Sequence, residues 1–152
     1  MSNSFSFAHN ATNTASATVP MFSMMATATS QIAIYEINAG SDATADNAVK
    51  YALLRNSARG TQATTITPVP IDQSTTQAAL TTVDKTWNIN PTITASTEVL
   101  QWGQHQRGTY RWVAYDYPKM IRSQAGTGKG FSMTSVVVTS AFNSVWDCSF
   151  DE

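Results

Sequence analysis

Residues 125 to 130 read AGTGKG, a lysine set among glycines, and the chemistry this raises is phosphate binding. A phosphate loop needs G-x-x-x-x-G-K-[ST] between a buried strand and a helix, because backbone N–H groups and the helix N-terminus hold the anion together. Gly128 and Lys129 are adjacent as required, but the first glycine belongs at position 123, which is Ser123, and Gly130 replaces the metal-holding hydroxyl. The residues that follow, FSMTSVVVTSAF, are rich in β-branched and aromatic types and have no helical period. The stretch therefore reads as a Gly-rich hairpin turn between two strands.

Other chemistry has few carriers. Nucleophilic catalysis needs a histidine in the folded domain, and His105 alone qualifies, within a polar turn. Asp84, Glu98, Asp116 and Asp147 are the carboxylates from which an acid–base pair would be drawn, with no spacing that pairs them. One cysteine, Cys148, and two scattered histidines, His9 and His105, match no zinc pattern and allow no intramolecular disulfide. The expectation is a protein that is not an enzyme and carries no cofactor, with Cys148 a small core residue.

Binding has better candidates. Trp102, Tyr110, Trp112, Tyr115 and Tyr117 crowd into one stretch. Trp and Tyr on a sheet surface stack sugar rings or anchor protein partners. Tyr110 and Trp112 share a strand face and suit core filling, whereas Trp102, Tyr115 and Tyr117 lie by turns and are candidate contact residues. Arg107 and Arg111 flank the region as solvated edge charges. Upstream, Met21, Phe22, Met24 and Met25 make a short apolar knot, which serves either as a strand on the chain's own core or as the tip of an arm gripping a neighbouring subunit.

The elements that must position these residues follow from composition and period. The chain has 152 residues, 12% of them charged, with a net charge of -1. That length suits one domain with a real core, and that charge offers neither a nucleic-acid patch nor a polybasic membrane anchor. Residues 1–30 lack the basic flank and apolar run of a secretory signal, so synthesis in the cytoplasm without a signal peptide is expected. The same thirty residues are polar and without sustained period, which predicts a flexible, extended N-terminal arm, removable without unfolding a domain over 31–152.

Within 31–152 the pattern is that of strands. QIAIYEI alternates as a strand buried on both faces, and NAGSDATADN supplies turn chemistry. Residues 45–58 fit a strand through Tyr51, Leu53 and Arg55 as well as a helix ending at Gly60, and the surrounding β pattern favours the strand. The prolines of TQATTITPVPI push it to a sheet edge. AALTTVDKTWNI, TEVLQWG, TYRWVAY, KMIRS, KGFSMTS and AFNSVWDCSF follow at short intervals, the last with Phe142, Trp146, Cys148 and Phe150 on one face. Eight or so strands punctuated by turns predict an all-β fold, a two-sheet β-sandwich of jelly-roll type, with an immunoglobulin-like sandwich as the alternative.

The order of certain features resembles small virion proteins of tailed bacteriophages. These features are Arg55, Gly60-Thr61, Pro68 to Asp72, Ala78 to Trp87, Tyr110 to Ala114 in QRGTYRWVA, and Trp146 to Glu152. The resemblance covers about residues 31–152. It implies a jelly-roll sandwich on the capsid surface of the virion, a cement or decoration protein that binds the major capsid protein lattice, often as a homotrimer, with no catalytic residue. The long N-terminal arm departs from the compact pattern of that group. A carbohydrate- or receptor-binding module of a phage tail or spike, using Trp102, Tyr115 and Tyr117, is the alternative.

Overall fold

The computed structural model describes residues 3–13, 16, 18–42, 44, 46, 48–105, 107–138 and 141–152. The described strands are β1 (Ser4–Asn13), β2 (Phe22–Met25), β3 (Ala33–Ser41), β4 (Ala48–Ala58), β5 (Thr61–Ile66), β6 (Val69–Pro70), β7 (Thr82–Ile89), β8 (Thr92–His105), β9 (Tyr110–Val113), β10 (Ile121–Arg122), β11 (Gly130–Val138) and β12 (Phe142–Asp151). A single turn of 3-10 helix, Tyr117–Lys119, accompanies them. Period two decides most of these. In β12, Phe142, Ser144, Trp146, Cys148 and Phe150 turn inward while Asn143, Val145 and Asp147 face out.

The strands form two antiparallel sheets, one in the order β10-β3-β12-β1-β6 with β9 also on β3, the other β5-β7-β2-β11-β4-β8. Their inner faces meet in one core of a β-sandwich. The pairing is nested: β1 with β12, β2 with β11, β3 with β9 and β10, β4 with β8. Successive pairs alternate between the two sheets, so the chain behaves as one antiparallel ribbon wound over itself. The excursion β5 to β7 widens both sheets, with β7 beside β2 and β6 beside β1. Strands β5 and β6 stand at sheet edges, where prolines are tolerated.

The described residues of the segment 1–30 do not form a flexible arm. Strand β1 is bonded along its length to β12, from Ser4↔Asp151 to Asn13↔Phe142, and β2 lies between β7 and β11. Polar composition misleads here because Phe5, Phe7, Ala11 and Asn13 all fall on the inner face, leaving Ser4, Ser6, Ala8, Asn10 and Thr12 for the outer one. Ladder bonds and phenylalanine burial offset the ordering entropy that composition alone sets against this segment. The domain boundary at residue 31 disappears with the arm, although residues 1, 2, 14, 15 and 17 of that segment lie outside the described residues. Met21, Phe22, Met24 and Met25 are all buried, so the apolar knot belongs to this chain's interior and not to a gripping tip.

Two local expectations also change. Residues 123–129 are no hairpin turn: β10 lies in the first sheet and β11 in the second, so the Gly-rich loop crosses between layers. Gly130, at its end, sits where a Cβ would collide with the Met24 carbonyl oxygen of the neighbouring strand. Strand β3 is not buried on both faces along its length. Ser149 opposes Glu36 and Phe150 opposes Ile34, so Tyr35 is the extra residue of a bulge. The bulge turns both Ile34 and Ile37 inward, and the Tyr35 carbonyl accepts from the Ala114 N–H at 2.8 Å. Residues 48–58 form a strand as expected; positions 45 and 47, and part of the turn before it, lie outside the described residues.

Aromatic rings lock the layers. Trp146 of β12 meets Phe22 at 5.6 Å, Tyr51 at 4.8 Å and Trp102 at 5.9 Å between ring centres, three residues of the opposite sheet. On the outer face of the second sheet, the fully buried Asp84 accepts two hydrogen bonds from Arg59, at 2.8 and 2.7 Å. Cys148 is buried, and its thiol is pushed up by burial, which keeps it protonated and inert.

His9 of β1 makes stability depend on pH. Burial holds its imidazole below the ordinary value of 6.5, opposed by a backbone hydrogen bond with Met21 and reinforced by the charge of Lys85. The unfolded chain therefore takes up this proton first, and stability is lost as pH falls through 6.5 toward the lower folded value. Thermal midpoints are expected to hold above about pH 7 and to drop toward about pH 5. His9→Gln should flatten that window; an unchanged profile would place the titration elsewhere.

Candidate functional site

The exposed aromatic feature of the molecule is a corner built on the edge of the first sheet. Strand β9 pairs with Glu36 to Ala39 of β3, and β10 pairs with Ala33 and Ile34 of the same strand. The residues between them have to leave the sheet and return to it. Asp116 precedes the 3-10 turn, Pro118 fixes its start, and the Met120 N–H closes it onto the Tyr117 carbonyl. The result is a protruding, backbone-bonded turn.

This turn presents two tyrosines. Tyr115 is 92% exposed and Tyr117 is 59% exposed. Each has a cation over its ring: Lys119 Nζ lies 5.8 Å from the centre of Tyr115, and the Arg122 guanidinium carbon lies 3.4 Å from that of Tyr117. Arg122 Nη2 also donates to the Tyr117 backbone carbonyl at 2.9 Å, so one arginine covers the ring and ties down the backbone that carries it. Tyrosine loses little side-chain entropy when it makes a contact, and the arginine reduces that loss further.

Beside Tyr117 opens a hollow of about 370 Å³ that also takes in Ser30, Gln31, Arg122, Asp151 and Glu152. Its carboxylates already have partners. Glu152 accepts from the N–H groups of Leu80 and Thr81 at 2.6 and 2.7 Å, and Asp151 accepts from Ser4 Oγ at 2.6 Å. Ser30, Gln31 and the arginine thus supply the polar contacts, and the tyrosines the apolar ones. Such a surface fits stacking and hydrogen bonding to a ring or to a protein loop.

The other expected contact residues lie elsewhere. Trp102 is 8% exposed and stacks on Tyr110, ring centres 4.2 Å apart, so it belongs to the core with Met21, Phe22, Met24 and Met25. It sits near the end of β8, and sequence position beside a turn does not reveal that its face is the inner one. Trp112 is half-buried against the same core. Arg111 pairs with Glu36 at 2.7 Å. What sequence reading missed at the corner is Arg122 and Lys119. Their signal was the spacing Y-x-Y-P-K-x-x-R, a proline turn that folds both cations back over the tyrosines.

The carboxylates named from the sequence are dispersed. Asp84 is occupied by Arg59, Glu98 lies on β8, Asp116 precedes the corner turn, and Asp147 faces outward on β12. Burial, and then the charge of Glu36, raises the Asp147 carboxyl. His105 is exposed at the end of β8, and the turn after it includes position 106, which lies outside the described residues. Among the described residues no three His, Cys, Asp or Glu side chains converge as a metal would require. Comparison with protein families, curated proteins and solved structures finds no match to this chain.

Proposed function

We propose that this chain is a structural protein of a tailed-phage virion, a cement or decoration module of jelly-roll type that binds the major capsid protein lattice as a homotrimer. The observation that carries the reading is the nested pairing of four strand pairs alternating between two sheets. That winding supports the jelly-roll type, which recurs in viral capsid and lectin domains, over an immunoglobulin sandwich. In this chain the features behind the phage resemblance place Arg55 on β4, Gly60-Thr61 at the turn into β5, Tyr110 to Val113 as β9, and Trp146 to Asp151 on β12. With the N-terminal segment committed to the core, adhesion falls to the corner of Tyr115 and Tyr117. A lattice repeats each contact many times, so one modest patch per subunit suffices.

The exposure of Tyr115 supports a second reading, a carbohydrate- or receptor-binding module that uses the same corner. The test is light scattering of the purified protein, followed by sedimentation with heads that lack it. Under the first reading the protein is a trimer that pellets with heads, and Tyr115→Ala with Tyr117→Ala abolishes pelleting while the circular dichroism spectrum is unchanged. A monomer that stays in the supernatant overturns it, and binding to a glycan array that is lost in the same double variant establishes the second.

A further inference from the structure

A second cleft, of about 340 Å³, opens near the C-terminal end of β4, and the Gly-rich loop of residues 125–130 forms part of its wall. Its cationic residues are Arg55 of β4, Arg122 of β10 and Lys129 of the loop, and its lining contains no carboxylate. The ion pairs among the described residues belong to Arg59, Arg107 and Arg111, so none of the three cations of the cleft is engaged in one there. We propose that this cleft is an oxyanion site, taking the phosphate, sulfate or carboxylate group of a small ligand.

The geometry supplies more than charge. Arg55 stands on the inner-face row of Tyr51 and Leu53, at the point where the core gives way to the cleft. Its guanidinium lies 5.5 Å from the Phe131 ring centre, and its Nη1 donates to the Arg122 carbonyl at 3.0 Å. It is thereby held in place with one of its five N–H donors used. Arg122 Nε is buried and has no acceptor. A shielded donor without a partner costs free energy that a bound anion would return. Thr94 and Ser123 also line the cleft, and the Ser123 hydroxyl, which accepts from the Ile32 N–H at 2.9 Å, keeps its own proton to donate to an anion.

Partial burial makes this arrangement selective. Arg55, Arg122 and Lys129 are all part-buried, so their mutual repulsion and their attraction for an anion are both stronger than on an open surface. The loop places Lys129 through its backbone: Lys129 N–H donates to the Gly126 carbonyl at 3.0 Å, and its own carbonyl accepts from the Ala26 N–H at 2.8 Å. The bonds that fix this turn are thus made by the Lys129 backbone and not by its ammonium group. This is not phosphate-loop chemistry, since a strand and not a helix follows the glycines.

The proposal does not depend on a virion role. Its test is a set of thermal melts and calorimetric titrations with inorganic phosphate, sodium sulfate and sodium glucuronate against chloride at matched ionic strength. At least one anion is expected to raise the thermal midpoint with its concentration, since a ligand of the native state alone stabilises it. Phosphate or sulfate binding without glucuronate identifies the tetrahedral group as the ligand, and the reverse identifies the carboxylate. Lys129→Gln is expected to fold normally and to weaken binding about tenfold or more, while Lys50→Gln, exposed on β4, leaves it unchanged. No effect of any of the three anions overturns the proposal, as does equal weakening by Lys129→Gln and Lys50→Gln.

Discussion

Deleting residues 1–30 is expected to leave no folded domain. The deletion removes β1 from between β12 and β6 and β2 from between β7 and β11, so each sheet loses an interior strand. It also removes Phe5, Phe7, Ala11, Met21, Phe22 and Met24 from the core and bares the faces of Trp146, Cys148, Phe150 and Met133 that packed on them. Truncating one buried phenylalanine costs about 3–5 kcal/mol, and a whole domain is stable by about 5–15 kcal/mol. Three phenylalanines lost together come to about 9–15 kcal/mol, comparable to that whole margin before the lost ladders are counted. Circular dichroism and proton chemical-shift dispersion of the truncated chain check the point: the expected product lacks dispersion or is insoluble. A folded, dispersed truncation would mean that β1 and β2 are dispensable and the nested pairing is wrong. Loss of capsid binding on truncation would accordingly report unfolding, not the loss of a grip, and the corner variants are the informative ones.

The segment that matters most for this outcome was the least legible in the sequence. SFSFAHNATN carries a clean alternation, but serine and asparagine on the outer positions lower the average hydropathy enough to hide it. A strand whose outer face is small and mostly polar looks disordered by composition and ordered by period, and period is the stronger signal when a partner strand exists. AFNSVWDCSF was legible because its inward residues are large, and AVKYALLRNSA because its inner row of Tyr51 and Leu53 falls at spacing two. Which sheet a strand joins was not legible. The β9 and β10 segments flank residues that protrude, and the loop after β10 changes layers, yet Gly-rich turn chemistry is the same for a hairpin and a crossover. The bulge at Tyr35 was hidden for a related reason, since an extra residue is defined only against the partner strand.

The candidate site was legible in the same uneven way. Tyr115 and Tyr117 stood out because aromatic residues beside Pro118 in a turn have no strand neighbour to bury them. Met21, Phe22, Met24, Met25 and Trp102 looked similar and are core, because large apolar side chains near a turn go wherever their strand face points. The cleft of Arg55, Arg122 and Lys129 had no linear signal at all. Its residues come from β4, β10 and the loop before β11, and the loop's lysine acquires its meaning from two arginines that the fold brings beside it.

Trp146→Ala is expected to cost about 3–5 kcal/mol, the range of a large buried ring cut back to a methyl group. Trp146 is fully buried and touches Phe22 of β2, Tyr51 of β4 and Trp102 of β8, so one side chain of the first sheet is packed by three strands of the second. Its Nε1 donates to Ser144 Oγ at 2.6 Å, within a buried polar group that includes Asn13 and the Ala11 carbonyl. The variant opens a cavity and also takes a donor from Ser144, a group shielded from water. Neighbouring rings are themselves packed on fixed strands and cannot collapse far into the space. Urea unfolding followed by circular dichroism measures the loss as a shift of midpoint at unchanged slope. Trp146→Phe keeps most of the ring contact and loses only the hydrogen bond and part of the volume, so its cost should be well below that of alanine. If the two variants lose the same amount, the Nε1 hydrogen bond, not the packing between sheets, is what Trp146 contributes. If neither loses more than about 1 kcal/mol, which is less than buried aromatic packing of this size provides, the two sheets do not interlock through this residue.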